Sequence, residues 1–166
     1  MMIGARHAVT SHRRLSTRQP AASAHDGEPS VGDSAAVPSR VVIVDDNDAM
    51  RACTTSLLAD EFQIVGTAIN GDTAIAVITA LQPDVVVLDI SLPDMSGFEV
   101  AALLRRMGSK SAIVFLTVHD QDDLVEAARA VGAVGYVVKS RMLADLPAAV
   151  HAGANGSHRP PIEGAP

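Results

Sequence analysis

Cysteine is nearly absent from this chain: Cys53 stands alone, so no intrachain disulfide can form, and a reducing, cytoplasmic setting fits. Aromatic residues are as scarce, with no tryptophan, one tyrosine and three phenylalanines. Any core must therefore come from Ala, Val, Leu and Ile. Positive charge is outnumbered, and the formal net charge of −6 argues against non-specific binding to nucleic acid. No apolar run approaches the roughly 18 residues that a membrane-spanning helix needs. What is present is a chain of 166 residues, enough for one domain of ordinary size and a tail, and too short for two full domains.

The N-terminal stretch, residues 1–38, stands apart. Residues 1–20 carry Arg6, Arg13, Arg14 and Arg18 and no acid, and residues 21–39 are rich in Ala, Ser, Gly, Pro and Asp. Neither part has apolar periodicity. Too little apolar surface is available to offset chain entropy, so residues 1–38 are expected to be a disordered extension. No apolar h-region follows the basic residues, which speaks against a secretory signal. The Arg- and Ser-rich, acid-poor composition leaves open a transit peptide or a start site placed too far upstream.

From Arg40 short apolar runs alternate with amphipathic stretches. Residues 41–44 read as a strand ending in Asp45 and Asp46. A helix over 48–60 follows, with Met50, Cys53, Leu57 and Leu58 on its apolar face and Cys53 as core filler. Residues 63–68 form a second strand. Asn70-Gly71-Asp72 leads into a helix with Ile75, Ile78 and Leu81 at helical spacing, stopped by Pro83. Residues 85–88, Val-Val-Val-Leu, read as a strand buried on both faces. Ser96 and Glu99 have the spacing of a capping box, ahead of a helix carrying Val100, Leu103, Leu104 and Met107. Residues 112–116 are a fourth strand. Asp120 is expected to cap a helix with Leu124, Val125, Ala128 and Val131, ended by Gly132. Residues 133–138 are a fifth strand, and a last helix is expected over about 145–152, with Pro147 in its first turn. Five consecutive βα units imply an α/β fold: a parallel sheet with helices on both faces. With strand order 2-1-3-4-5, the ligand crevice lies beside strands one and three.

Strand C-terminal ends share one edge of a parallel sheet, so residues distant in sequence meet there. Strand one delivers Asp45 and Asp46, strand three Asp89, strand four Thr117 and strand five Lys139. Crowded carboxylates repel one another unless a cation joins them. Oxygen ligands without His or Cys suit Mg²⁺, which keeps several waters and bridges to phosphate. Lys139 is a point charge suited to a phosphate oxygen, and the Thr117 hydroxyl can donate to another. In that company Asp89 could act as a nucleophile toward phosphorus and form an aspartyl phosphate.

These residues carry a resemblance. Val41-Val42-Ile43-Val44-Asp45-Asp46, Val87-Leu88-Asp89-Ile90-Ser91-Leu92-Pro93-Asp94-Met95-Ser96-Gly97, Phe115-Leu116-Thr117 and Gly135-Tyr136-Val137-Val138-Lys139 occur in order, each at a strand end. Together they resemble the receiver domain of two-component response regulators, over about residues 39–153. The resemblance implies a (βα)5 flavodoxin-like receiver fold and a flexible tail over 154–166. It implies that Asp89 is the phosphoacceptor and that Asp45, Asp46 and Asp89 hold Mg²⁺ with the backbone carbonyl of Ser91. It also implies that Thr117 and Lys139 grip the phosphoryl group, and that Tyr136 is the aromatic that turns inward when Thr117 is drawn toward the phosphoryl group. Packing alone remains the other reading of Tyr136. His119, beside the crevice, reads as a loop histidine, with a role in water access as the alternative.

The Thr-Val-His run and the Lys139-Ser140 junction look most like receivers of the NarL/FixJ type. Many receivers carry proline after the lysine; Ser140 stands there, so no cis-proline is expected. Val118 follows Thr117 where many receivers have something small, and it could restrict access to the acyl phosphate. Regulators of that type usually continue into a helix-turn-helix domain, and residues 154–166 are too short for one. The expectation is thus a single-domain response regulator, cytoplasmic, taking phosphoryl from a histidine kinase or phosphotransfer protein and acting through a protein partner, with no nucleic acid or membrane contact of its own. A homodimer through the fourth and fifth helices is compatible with this. The alternatives are a phosphoryl sink, a degenerate regulator that lost its effector, or an Asp-nucleophile phosphatase. The last needs a second acid two residues after the nucleophile, where Ser91 stands, so the chain is expected not to be an enzyme beyond its own phosphorylation and dephosphorylation.

Overall fold

A computed structural model describes residues 37–156; the expectation for the N-terminal extension up to residue 36 lies outside the described residues, and of the tail expected over 154–166, residues 154–156 instead continue the last helix while the rest lies outside the described residues. Strands β1 (Arg40–Val44), β2 (Gln63–Ala68), β3 (Val85–Leu88), β4 (Ala112–Thr117) and β5 (Gly135–Val138) form one parallel sheet in the order β2-β1-β3-β4-β5. Helices α1 (Asp48–Leu58), α2 (Gly71–Leu81), α3 (Gly97–Arg106), α4 (Asp122–Ala130) and α5 (Met142–Gly156) connect or follow them. This is the expected topology.

The sheet is central because its strands are apolar on both faces. Side chains alternate across a strand, so Val42, Val44, Val86, Leu88, Ile113 and Phe115 face one side with Ala74, Ile78, Val100, Leu104 and Ala128 of α2, α3 and α4. Val41, Ile43, Val85, Val87, Val114, Leu116 and Val137 face the other, with Leu58 of α1 and Met142, Leu146 and Val150 of α5. Fully buried side chains such as Ile43, Ile78, Leu88 and Leu104 each contribute about 1.5–3 kcal/mol of transfer free energy.

Register aligns the edge that carries the acids. Val44 pairs with Leu88, Leu88 with Phe115, and Thr117 with Val138. Asp45 and Asp89 therefore follow their strands side by side, and Lys139 comes directly after the residue paired with Thr117. Backbone hydrogen bonds continue the ladder one step further, from Asp89 N to Val44 O (2.9 Å) and from Asp45 N to Ala68 O (3.1 Å).

Local signals explain most helix ends. Asn47 caps α1 and Asn70 caps α2, each side chain accepting from the backbone three residues on. Ser96 and Glu99 form the capping box of α3 in full. Gly132, at φ +75°, takes the left-handed turn after α4.

Several expectations need correction. Cys53 is exposed and is not core filler. The face of α1 toward the sheet carries Met50, Thr54 and Leu58, and Cys53 lies about 100° around the helix from Thr54. A polar threonine in the buried stripe hid the true phase. Helix α2, by contrast, stops where expected: it ends at Leu81, with Gln82 as a left-handed cap whose N–H bonds Ile78 O, directly ahead of Pro83. The cap of α4 is Gln121, without a side-chain bond, rather than Asp120; Asp122 and Asp123 then favour the helix N-terminus by charge. Met107 is exposed, beyond the end of α3. Helix α5 starts at Met142, after a 3₁₀ turn over Lys139–Arg141, because Met142 and Leu146 both anchor in the core. Pro147 consequently lies inside α5, and the carbonyl it cannot serve belongs to Leu143, an exposed residue.

Candidate functional site

The C-terminal edge of the sheet gathers Asp45, Asp46, Asp89, Thr117 and Lys139. Asp45 and Asp89 are buried, 2% and 5% exposed, whereas Asp46 is exposed. One carboxylate oxygen from each of the three lies within 4.8 Å of the others. Lys139 reaches in from the turn after β5: its Nζ is 2.6 Å from Asp89 Oδ2, to which it donates a hydrogen bond, and 2.7 Å from Asp45 Oδ2. Burial alone would push the lysine pKa down, but the two carboxylates outweigh it and hold the ammonium above its ordinary range.

The remaining oxygens are held by short local turns. Asp45 Oδ1 accepts from Asn47 N at 2.9 Å, and Asp89 Oδ1 accepts from Ser91 N at 3.1 Å. Asp45 Oδ2 is buried with the Lys139 ammonium, at 2.7 Å, as its one close partner, which leaves lone-pair capacity unused. A buried carboxylate oxygen left in that state, beside two more carboxylates and no sulfur or imidazole, fits a hard divalent cation such as Mg²⁺. Asp45, Asp46 and Asp89 are the residues that could hold it, and Ser91 lies two residues past Asp89 in the adjoining loop.

Thr117 is fully buried at the end of β4, and its Oγ1 accepts from His119 N at 3.2 Å. The hydroxyl hydrogen is thereby left to donate elsewhere. Tyr136 packs against the core from a half-buried position, and its hydroxyl donates to the His119 carbonyl at 3.0 Å. His119 is itself half-buried, and its backbone links Thr117 to Tyr136 within one loop. Val118 is 66% exposed between them.

The loop after Asp89 is tightly closed. Ser91 and Ser96 form a bridge, and Gly97 N donates to Ile90 O at 2.8 Å. A Cβ on Gly97 would lie 2.2 Å from the Asp89 carbonyl oxygen, so only glycine admits this approach.

Two residues were given no role from the sequence. Arg51 is a helical turn past Asp48, with which it pairs, and its Nη1 donates to the Asp45 carbonyl at 2.8 Å. The acid–base spacing of three along α1 was the available signal. Asp94 accepts from Gly71 N and Asp72 N across the fold, a contact with no local sequence signal.

Comparison with known proteins bears on this arrangement. The family model for the response regulator receiver domain matches residues 41–151. The transcriptional regulatory protein PdtaR of Mycobacterium tuberculosis is 37% identical over 121 residues, covering 71% of this chain and 58% of PdtaR. The chain thus spans little more than half the length of that relative. The signal receiver domain of the response regulator NarL from Mycobacterium tuberculosis superimposes with a TM-score of 0.69 at 31% identity, covering 72% of this chain and 98% of that one. The CheX-CheY-BeF3-Mg²⁺ complex from Borrelia burgdorferi gives a TM-score of 0.65 at 25% identity, over 69% of this chain and 87% of that one. No helix among the described residues is long and apolar enough to cross a membrane. On its sequence match, its strand order and its structural likeness, the chain belongs to the response regulator receiver domain family.

Proposed function

We propose that this chain accepts a phosphoryl group on Asp89 from a histidine kinase or phosphotransfer protein and signals through a protein partner. The observation that carries the reading is the pair of contacts from one lysine to two buried carboxylates, Lys139 Nζ to Asp45 and to Asp89, beside the exposed Asp46. Mg²⁺ held by Asp45, Asp46 and Asp89, with the Ser91 carbonyl as a further ligand, would neutralise charge on the transferring group. Asp89 supplies the attacking carboxylate oxygen. A phosphorus–oxygen bond forms to it while the phosphorus–nitrogen bond of the donor phosphohistidine breaks, and the electron pair stays on the departing imidazole nitrogen, which takes a proton from solvent. Lys139, now free of part of its carboxylate partnership, meets one phosphoryl oxygen, and the Thr117 hydroxyl donates to another.

The switch follows from the same contacts. A Thr117 hydroxyl committed to the phosphoryl group biases the loop through His119, whose carbonyl Tyr136 holds. The outcome is a shift between two states of the β4–α4 surface, with Tyr136 moving inward. The solved CheX-CheY complex contains BeF3, a stand-in for a phosphoryl group, and Mg²⁺, and likeness to it supports a phosphoryl-accepting, metal-binding role for this chain. Turnover is confined to the chain's own phosphorylation and hydrolysis: Ser91 stands where an Asp-nucleophile phosphatase needs its second acid. The setting is cytoplasmic, and a dimer through α4 and α5 is compatible with the fold.

Incubation with Mg²⁺ and acetyl phosphate, followed by intact mass spectrometry, tests the proposal. The wild type gains one phosphoryl group and Asp89→Asn gains none. An unchanged wild type, or equal labelling of the variant, overturns it.

A further inference from the structure

Asp94 lies in the loop that links Asp89 to α3, yet its carboxylate is taken up by backbone amides and is not one of the three that meet at the acidic edge. Oδ1 accepts from Gly71 N at 2.8 Å and Oδ2 from Asp72 N at 2.9 Å, the first two amides of α2. Oδ1 also accepts from Met95 N at 3.0 Å. One exposed carboxylate thus ties the loop after β3 to the start of α2. Asn70 already caps α2 through Thr73 N, so Asp94 is a second cap supplied from another loop. The contact is backed by packing. Gly71 is buried under Met95, whose Cγ a Cβ on Gly71 would meet at 2.3 Å, and Val100 of α3 lies beside it. At its other side the same loop is fixed by the Ser91–Ser96 bridge and by Gly97 against the Asp89 backbone.

We propose that Asp94 is a positioning residue: by stapling the loop after Asp89 to the N-terminus of α2, it holds Asp89 and Ser91 in place to bind the divalent cation. The inference rests on the reading of Asp89 and Ser91 as parts of the metal and phosphoryl site. Asp94 touches neither. Its effect passes through the short, bridged loop 89–97, where loss of the far anchor frees the near end. A merely structural cap would slow no chemistry and change no metal affinity once the protein is folded.

The test compares wild type, Asp94→Ala and Asp94→Asn, each checked for a native thermal transition. Hydrogen exchange reads the Gly71 and Asp72 amides. Mg²⁺ affinity is read by NMR titration, and half-saturating Mg²⁺ is read from the rate of labelling by acetyl phosphate. The expected result is faster exchange at both amides in Asp94→Ala. Its Mg²⁺ dissociation constant rises about three- to tenfold, at or below the range for outer-shell partners. Asp94→Asn, which keeps one acceptor oxygen, should lie between. Faster exchange with unchanged Mg²⁺ affinity overturns the proposal, and so does unchanged exchange. If the wild type takes up no phosphoryl group, the function proposed above fails, and the NMR titration still decides this inference. If Asp94→Ala does not fold, the same comparison between Asp94→Asn and wild type decides it.

Discussion

Replacing Lys139 by methionine removes the cation that Asp45 and Asp89 share. Both carboxylates are buried, the lysine side chain is only 10% exposed, and Nζ is 2.7 and 2.6 Å from its two partners. At an effective dielectric constant of about 20, attraction at such a distance is about 6 kcal/mol per pair before desolvation is counted. Desolvation of the ammonium offsets much of that in the wild type. In the variant two buried like charges remain with nothing between them. Removing one side of a buried pair costs about 3–5 kcal/mol; methionine refills the alkyl volume, so little is added for a cavity. The expected result is a loss of about 3–5 kcal/mol in urea denaturation with chelator present, a large part of a domain's 5–15 kcal/mol. Mg²⁺ at about a hundred times its dissociation constant returns about 2.7 kcal/mol through binding to the native state alone. Without lysine as competitor, the variant should gain more from Mg²⁺ than the wild type does. A Lys139→Met protein as stable as wild type in chelator, or a gap that ignores Mg²⁺, would refute the reasoning.

Other outcomes follow from particular contacts. Gly97→Ala should gain about 0.5–1 kcal/mol from helix propensity and lose more to the clash, because the 2.2 Å neighbour is Asp89 backbone; a net loss of about 2 kcal/mol or more in urea denaturation is expected, and a stabilised variant would contradict the geometry. The Thr54 hydroxyl is buried with no hydrogen-bond partner, so Thr54→Val should stabilise by about 1 kcal/mol; equal destabilisation would show that the hydroxyl is satisfied. Tyr136 is the chain's only tyrosine and there is no tryptophan, so phenolate absorbance reports one group. Burial, and then the charge of Asp120, raise its pKa. The folded state holds this proton more tightly than the unfolded state, so its contribution to stability is full below about pH 10 and is lost as pH rises through the folded value. The absorbance midpoint should fall on unfolding in urea and fall part-way in Asp120→Asn; equal midpoints folded and unfolded would rule out the burial described.

Much of this architecture was legible because it rests on strong, local signals. The Val-Val-Val-Leu run of β3 needs no tertiary context to be placed in a doubly covered sheet. Five consecutive βα units implied a parallel sheet, the order 2-1-3-4-5 is the one observed, and convergence of Asp45, Asp89, Thr117 and Lys139 followed from all strands ending on one edge. The capping box at Ser96 and Glu99 was readable residue by residue. What could not be read depends on contacts between elements. The phase of α1 turns on Thr54, a polar residue that tertiary packing buries. The start of α5 turns on Met142 and Leu146 reaching the core, which overrode Pro147 as a boundary. Asp120 had the chemistry of a cap but not the position, since the helix begins two residues later at Asp122. Asp94 acts through backbone amides of another element, which leave no trace in the residue pattern, and the spacing of Asp48 and Arg51 signals their pairing but not the bond from Arg51 to the Asp45 carbonyl.

The central claim is that Asp89 carries the phosphoryl group, and locating the label tests it most directly. An acyl phosphate formed with acetyl phosphate and Mg²⁺ can be reduced by borohydride, which converts the phosphorylated aspartate to homoserine and marks its position for peptide sequencing by mass spectrometry. The account predicts homoserine at position 89 and at none of Asp45, Asp46 or Asp94, with the conversion lost when Mg²⁺ is chelated. Reduction at another aspartate, or a phosphoryl group resistant to borohydride and found on His119, would contradict it.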